Sequence, residues 1–142
     1  MKIIELHTGE YEITLFTKEE YEAHREQLPL VTDGWWLRSP GDYFYYAADV
    51  DNGGFVNEYG DDVNYDYNAI RPALKSAIIN LPIGEKFIAL GNRWLMIDDG
   101  FAISEDVITH RRYDSKNNEW ETSELKEWLE DWAKDGETDR EK

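Results

Sequence analysis

Short segments with a hydrophobic period of two fill most of this chain, and one helical stripe follows near its end. In the first half, alternation and aromatic content predict strands over residues 2–6, 11–16, 35–38, 43–51, 55–58 and 64–70. In the second half they predict strands over residues 86–90, 94–98 and 101–103. Residues 7–10 should join the first two strands as a hairpin, and Asn52-Gly53-Gly54, Gly91-Asn92 and Asp99-Gly100 should form turns.

Two helices are predicted. The first has Thr17 as its N-cap and Glu20 three residues later, a capping box, and it ends before Pro29. Ser123 caps the second, whose apolar stripe is formed by Leu125, Trp128, Leu129, Trp132 and Ala133. Residues 135–142 have nothing to bury and are expected to form a disordered acidic tail. The pattern as a whole predicts an α+β fold: one compact domain over residues 1–134, with twisted antiparallel sheets and two short helices.

Length and composition narrow the class of protein. The 142 residues are enough for one domain with its own core, and no cysteine is present to form a disulfide or a thiolate site. Residues 1–6 are too short and too polar for a signal peptide, and no apolar run has the length of a membrane span. These features predict a cytoplasmic protein.

The net charge of −16 indicates which classes of partner the chain should bind and which it should repel. No lysine or arginine occurs from Ser39 to Ile70, so the acids there have no basic neighbour in sequence. Such a chain should repel nucleic acid and anionic membranes, because both are bound mainly through Lys and Arg. A basic protein surface is the partner that this charge suits best, although an acid excess also serves solubility alone.

Candidate chemistry is sparse. His7, His24 and His110 lie far apart without zinc-ligand spacing, and no serine stands in a nucleophile-elbow motif. Asp49-Val50-Asp51-Asn52-Gly53 is faintly similar to a calcium loop, but the twelve-residue pattern is incomplete, so calcium near residues 49–66 stays open. We therefore expect a protein without catalytic residues, metal site or cofactor.

Two motifs stand thirty residues apart: Gly34-Trp35-Trp36-Leu37-Arg38-Ser39-Pro40-Gly41 and Ile70-Arg71-Pro72-Ala73-Leu74. Alternation should send Trp35 and Leu37 to one face of a strand and Trp36 and Arg38 to the other, before a turn at residues 39–41. Arg71 should lock loops through charge-assisted hydrogen bonds. We interpret these residues as structural, and we expect the following side chains to define the fold: Trp35, Trp36, Arg38, Arg71, Trp94, Trp120 and Trp128.

The two motifs resemble the WWLRSPG…VRPAL signature of a bacterial and phage domain family of unknown function. Residues 94–97, 102–104 and 120–129 are similar to the other half of that family, with Glu130 where its asparagine is expected. In the family this half usually precedes WWLRSPG, so the chain resembles a circular permutation of the usual domain, or a domain assembled from neighbouring halves. The first motif is also similar to the closing segment of formylglycine-generating-enzyme-like domains, and that likeness implies a C-type-lectin-like fold.

The base-free stretch is the candidate binding site. Alternation can bury only about half of its aromatic rings, so tyrosines should be exposed between aspartates. Tyrosine suits recognition surfaces because it offers contact area and a hydroxyl at small entropic cost. The candidate partner-binding residues are Tyr43, Tyr45, Asp49, Asp51, Tyr59, Asp61, Asp62, Tyr65, Asp66 and Tyr67. A second candidate face consists of the outward acids of the last helix, Glu124, Glu127, Glu130 and Asp131.

Two classes of function fit this pattern. The first is a non-catalytic inhibitor whose acidic face occupies the nucleic-acid-binding surface of a basic protein such as a nuclease. By analogy with small acidic phage proteins, this is the anti-CRISPR or anti-restriction type of DNA mimic. The alternative is a ligand-binding module of C-type-lectin-like type, in which exposed tyrosines stack on a carbohydrate.

Overall fold

The computed structural model describes residues 1–139 and shows an α+β fold with two sheets. The first half of the chain contributes strands β1 (Lys2–Ile3), β2 (Glu12–Thr14), β3 (Trp35–Pro40), β4 (Tyr46–Val50), β5 (Val56–Asp62), β6 (Ala69–Ile70) and β7 (Ala73–Lys75). The second half contributes strands β8 (Lys86–Ala89), β9 (Asn92–Asp98), β10 (Phe101–Ser104) and β11 (Thr109–His110). One sheet has the order β1-β8-β9-β10-β7-β2, and the other has the order β11-β6-β3-β4-β5.

Both helices begin at the caps that the sequence predicts. Helix α1 (Lys18–His24) starts with the full capping box of Thr17 and Glu20, and a 3-10 turn (Arg25–Gln27) follows it. A second 3-10 turn (Trp120–Thr122) precedes helix α2 (Glu124–Asp139). The Ser123 hydroxyl accepts a hydrogen bond from the Lys126 amide at 3.0 Å, as an N-cap should. Neither helix is long and apolar enough to cross a membrane within the described residues.

The pairing of strands differs from the expected hairpin and from purely antiparallel sheets. Strand β1 runs parallel to β8, and β2 runs antiparallel to β7, so the two lie on opposite edges of the six-stranded sheet. The hairpin prediction across residues 7–10 was therefore wrong, although the Glu10 amide still closes a turn on the His7 carbonyl. Strands β3 and β6 are also parallel, so both sheets are mixed. The β8–β9–β10 meander, by contrast, forms as predicted.

Strand β3 separates two hydrophobic clusters. Trp36 belongs to one cluster, whereas Trp35 and Leu37 belong to the other, as alternation requires. Each cluster contains residues from both halves of the chain, so the halves share the core. Strand β3 continues through Pro40, and the predicted turn comes afterwards, where the Gly41 amide donates to the Tyr46 carbonyl at 2.8 Å.

The Ile70–Leu74 motif is the place where the chain passes from one sheet to the other. Strands β6 and β7 lie in different sheets and are separated only by Arg71 and Pro72. The Arg71 guanidinium is buried there and donates to the carbonyls of Ser104 (2.9 Å), Pro29 (3.0 Å) and Glu105 (3.1 Å). The expected role of Arg71 in locking loops is therefore what the structure shows.

The tryptophans that were expected to define the fold differ in burial. Trp35, Trp36, Trp94 and Trp120 are buried, while Trp128 is only partly buried. The guanidinium of Arg111 lies 5.6 Å from the ring centre of Trp128. The indole nitrogens of Trp36 and Trp94 donate to the backbone carbonyls of Arg111 (2.9 Å) and Ala89 (2.8 Å). Arg38 is half-buried, and its Nε donates to the Leu15 carbonyl at 3.1 Å.

The tail prediction was wrong for residues 135–139, which continue helix α2. Gly136 is buried so closely against Leu90 that an added Cβ would lie 2.2 Å from the Leu90 carbonyl oxygen. At the next residue, the Glu137 carboxylate accepts hydrogen bonds from the Thr8 amide and hydroxyl, both at 3.0 Å, and from the Tyr11 hydroxyl. These contacts anchor a segment whose composition alone suggested disorder. Residues 140–142 of the predicted tail lie outside the described part of the chain.

Candidate functional site

A cluster of exposed aromatic rings covers one end of strands β4 and β5. We call it the tyrosine face and define it by Tyr43, Tyr45, Tyr59, Tyr65 and Tyr67, whose exposed fractions range from 38% to 58%. Tyr43 packs against Tyr45 and Tyr59, with ring centres 5.8 Å apart in each pair. Tyr65 and Tyr67 form a second pair at 5.0 Å. The face therefore consists of rings that contact one another and still reach solvent.

The half-buried Tyr46 connects the two groups of rings. Its ring centre lies 4.8 Å from that of Tyr45 and 5.3 Å from that of Tyr59. Desolvation raises the pKa of Tyr46, and the neighbouring Tyr45, Tyr65 and Asp62 raise it further. Tyr46 pairs with Asp62 in the β4–β5 register, and the Val63 amide donates to the Tyr45 carbonyl at 2.9 Å. The segment that carries Tyr65 and Tyr67 therefore leaves β5 beside the Tyr43 group.

Two glycines allow this arrangement of rings. Gly60 has a φ of +93°, and a Cβ there would lie 2.7 Å from the Ala47 carbonyl oxygen. A Cβ on Gly41 would lie 2.4 Å from the Tyr59 carbonyl oxygen. The turn after β3 therefore packs directly on the backbone of β5, and this contact places Tyr43 beside Tyr59.

Asn118 holds the turn from the other side. Its side-chain amide donates to the carbonyls of Tyr43 (3.1 Å) and Tyr46 (2.9 Å), and its backbone amide donates to the Phe44 carbonyl (2.7 Å). Sequence reasoning did not identify Asn118, because it lies about seventy residues from the turn and belongs to no motif. Its position in the fold is the only sign of its role.

Asp49 does not belong to an exposed acidic surface, which corrects the sequence prediction. Its side chain is 3% exposed and accepts a hydrogen bond from Asn68 Nδ2 at 2.7 Å. The same Nδ2 also donates to Asp61 Oδ2 at 3.2 Å, so the two carboxyl groups are neighbours. Burial, together with the hydrogen bond and the charge of Asp61, raises the pKa of Asp49 to about 8. Asp49 therefore holds a proton at neutral pH and presents no charge to a partner.

The other four predicted aspartates divide between two places. Asp51 lies in the β4–β5 turn, at the opposite end of β4 from Tyr46, and its Oδ1 accepts the amides of Gly53 (2.9 Å) and Phe55 (3.0 Å). Asp61 and Asp62, both half-buried, end β5 beside the rings. Asp66 is exposed between Tyr65 and Tyr67. The structure thus brings three of the five aspartates together with the tyrosine face.

The stretch without bases in sequence has bases beside it in space. Arg112 Nη1 donates to Asn64 Oδ1 at 3.2 Å, next to Tyr65. Lys18 lies 3.6 Å from Glu58 on β5. The acidic character of this region is therefore weaker than the sequence suggests, and the exposed rings are its most distinctive feature.

The second candidate face on helix α2 is partly neutralised. Glu124 is not an outward acid, because it lies 2.9 Å from Arg112 Nη2 and 3.9 Å from Arg111 Nη2. Glu130 lies 3.4 Å from Lys126. Glu127 and Asp131 are exposed and line an open groove of about 350 Å³ together with Glu12 and Lys134. Glu124 thus pairs with arginines outside helix α2, and Glu130 pairs with a lysine within it, so neither acid is available as a free charge for a partner.

A larger groove lies away from the tyrosine face. It has a volume of about 790 Å³, opens widely to solvent, and lies between helix α1 and the β9–β10 turn. Glu20 in this groove is already engaged by the Thr17 amide (2.9 Å) and Lys75 (3.2 Å). Burial opposes ionisation of Glu20, but these hydrogen bonds and Arg38 leave its pKa lowered. Glu20 and Lys75, two charged residues of this groove, are therefore engaged in contacts that stabilise the fold.

The described residues contain no group of three or more His, Asp or Glu side chains that could hold a metal ion. The predicted surface histidines are separate: His7 is exposed, His24 contacts Gln27 at 2.7 Å, and His110 contacts Asp33 at 2.8 Å. Comparisons with protein-family models, with curated proteins and with solved structures gave no match for this chain. The similarity to the WWLRSPG…VRPAL family therefore stays a prediction.

Proposed function

We propose that this protein is a non-catalytic binding protein whose tyrosine face contacts a basic surface of another protein and blocks the access of nucleic acid to it. The observation that carries the proposal is the cluster of five exposed tyrosines, with Asp61, Asp62 and Asp66 among them. An exposed aromatic cluster of this kind is typical of an interaction site. The net charge of −16 favours a basic partner.

The rings and the carboxylates of the tyrosine face contribute to binding in different ways. The rings supply apolar contact area, and their hydroxyl groups supply hydrogen bonds at the rim. The carboxylates accelerate encounter with a basic surface and add little to affinity once salt screens them. A nucleic-acid-binding groove suits such a face because it presents Lys and Arg that would otherwise contact phosphates.

The test compares two variants that lose the same charge. Asp61, Asp62 and Asp66 are changed to asparagine in the first, and Glu127, Glu130 and Asp131 are changed to amides in the control. A basic partner is isolated with the wild-type protein, and its affinity is measured at several salt concentrations. We expect only the first variant to bind more weakly and with a smaller salt dependence.

Changes of single tyrosines test the role of the rings. Tyr43→Ala and Tyr67→Ala should each weaken binding about 30-fold if these rings are central anchors worth about 2 kcal/mol, mainly through faster dissociation. The partner should also lose nucleic-acid binding when the wild-type protein is added. Equal affinities for the wild-type, face and control variants would contradict the proposal.

A carbohydrate ligand is the second candidate. The rings of Tyr43 and Tyr45 are parallel to within 12°, an arrangement that could present a flat surface to a sugar ring. This function needs the rings and not the carboxylates. Binding to a glycan array that is lost with Tyr43→Ala and Tyr45→Ala, and kept in the three-asparagine variant, would favour it over the first proposal.

A further inference from the structure

The pair formed by the buried Asp49 and the half-buried Asp61, behind the tyrosine face, has an incomplete set of hydrogen bonds. Asn68 Nδ2 donates to one oxygen of Asp49 and to one oxygen of Asp61. The other oxygen of Asp49, Oδ1, is buried and has no hydrogen-bond partner. No ion pair of the described residues includes either aspartate. Asn57 lies opposite Asp49 on β5, and its side chain, like that of Asn68, favours the charged form of Asp49. The two neighbouring carboxyl groups thus have amide neighbours but no cation in the part of the chain that the structure describes.

Two adjacent carboxylates, one buried and one half-buried, do not both ionise at small cost, because each repels the charge of the other and neither is fully solvated. The titratable groups that face Asp49 are Asp61 from β5 and Tyr67 from the segment that follows. On β3 the residue opposite Asp49 is Trp36, which does not titrate. No positive charge in this set compensates a second negative one. A single shared proton would bond the two carboxyl groups and give Asp49 Oδ1 its missing partner.

The pair is connected to the tyrosine face through Asn68. This residue ends the 64–68 segment, which carries Tyr65 and Tyr67, and its side chain bonds the segment to β4 and β5 through the two aspartates. We propose that one proton shared by Asp49 and Asp61 keeps the two carboxyl groups together, so that the Asn68 amide can bond both of them. Loss of this proton in mildly alkaline solution drives the two carboxylates apart, and Asn68 then bonds only one of them, which releases Tyr65 and Tyr67 from the tyrosine face. The switch is a property of the fold, and only its effect on binding rests on the proposed function.

The experiment that tests the switch needs no partner. The full-length protein is titrated from about pH 6 to about pH 9.5 while the NMR signals of the Asp49 and Asp61 carboxyl carbons and of the 64–68 amides are followed. We expect these signals to move together with a midpoint near pH 8. The Tyr67 hydroxyl, which lies in the same segment, should not interfere, because desolvation and the nearby acids raise its pKa above the ordinary value of 10.

Asp49→Asn should abolish this transition, because the introduced amide can donate permanently to Asp61 and accept from Asn68. Asp66→Asn is the matched control: it removes one charge from the same segment and should leave the transition unchanged. If the first variant does not fold, Asp61→Asn provides the same test with the roles of the two groups exchanged. A wild-type protein in which neither carboxyl group titrates in this range would overturn the proposal. The same holds if the Asp49→Asn protein titrates like the wild type.

Two further measurements separate the remaining outcomes. If calcium or magnesium chloride at constant pH 7 moves the same signals, the pair holds a cation instead of a proton and the proposal is wrong. With a basic partner present, wild-type affinity should fall above about pH 8 while the affinity of Asp49→Asn stays constant. A carboxyl titration that appears as expected while face variants bind normally would refute the proposed function and leave the switch intact.

Discussion

Replacing Arg71 by methionine tests whether the Ile70–Leu74 motif serves the fold. Arg71 is 2% exposed, donates to three backbone carbonyls from two loops, and lies 5.4 Å from the ring centre of Trp35. Methionine keeps much of the apolar stem and removes every donor. The carbonyls of Pro29, Ser104 and Glu105 would then lose this partner in a place with little access to water.

The expected change in unfolding free energy for Arg71→Met is the difference between two opposing contributions. Hydrogen bonds to a charged group stabilise by about 1.5–3 kcal/mol each, so three of them contribute roughly 4.5–9 kcal/mol. Burial lowers the pKa of Arg71 from 12.5 to about 10, and at about 1.36 kcal/mol per pKa unit this represents roughly 3 kcal/mol of unfavourable desolvation. The substitution relieves that cost. We therefore expect a net loss of roughly 1.5–6 kcal/mol, which is a large share of the stability of a domain of this size.

The assay is urea unfolding at pH 7 followed by tryptophan fluorescence, with Arg71→Lys and Arg93→Met as comparisons. Lysine keeps the charge without the planar fork and should give an intermediate loss. Arg93 is mostly exposed and lies 3.6 Å from Glu105, so its replacement should cost less than about 1 kcal/mol. If Arg71→Met unfolds within about 1 kcal/mol of the wild type, these hydrogen bonds do not hold the loops together. Wild-type stability combined with lost partner binding would instead make Arg71 a functional residue.

Three further predictions concern stability. In an ordinary helix a change of glycine to alanine stabilises by about 1 kcal/mol. For Gly136→Ala we instead expect the unfolding free energy in urea to fall by about 1–3 kcal/mol, because the new Cβ would clash with the Leu90 carbonyl. A gain in stability would show that this contact is loose. The raised pKa of Asp49 makes its protonated form the stabilising one, so its contribution is complete below about pH 4 and disappears as the pH rises through about 8. Relative to Asp49→Asn, the wild-type protein should therefore lose roughly 2–3 kcal/mol of unfolding free energy between about pH 6 and about pH 8, and parallel pH profiles would contradict this. Burial opposes the ionisation of Asp114, but backbone amides including that of Glu124 lower its pKa, so its stabilisation is present at neutral pH and lost as the pH falls below about 4. Asp114→Ala should cost about 2 kcal/mol in thermal or urea unfolding at pH 7, and this difference should shrink in acid.

Features that depend on a few neighbouring residues could be predicted from the sequence. The capping box of Thr17 and Glu20 and the Ser123 cap are contacts between residues three apart, so the sequence determines them directly. The alternation of Trp35, Trp36 and Leu37 has the period of a strand and assigned each side chain to the correct cluster. The exposure of the tyrosines has another cause than the predicted alternation: Tyr43 and Tyr45 lie in a turn before β4 with Phe44, also exposed, between them, and residues 65–67 lie outside the strands.

The pairing of the edge strands and the end of helix α2 depend on contacts between residues far apart in sequence, and only the tertiary structure decided them. Strands β1 and β2 have sequences that fit a hairpin, yet each pairs with a strand more than fifty residues away, because edge positions of the six-stranded sheet were available to them. The end of helix α2 is ordered because Glu137 meets Thr8, which no local pattern reveals.

The candidate site also combines features that the sequence predicts with features that only the tertiary structure decides. The sequence by itself placed tyrosines and aspartates in one stretch and determined the net charge of the chain. Only the fold decided that Asp49 is buried against Asn68 and Asp61, that Asp51 lies at the far end of β4, and that Asn118 holds the turn. The physical reason is that composition fixes which charges a chain carries. Their solvation and their neighbours, which set pKa and accessibility, are fixed by packing between distant segments.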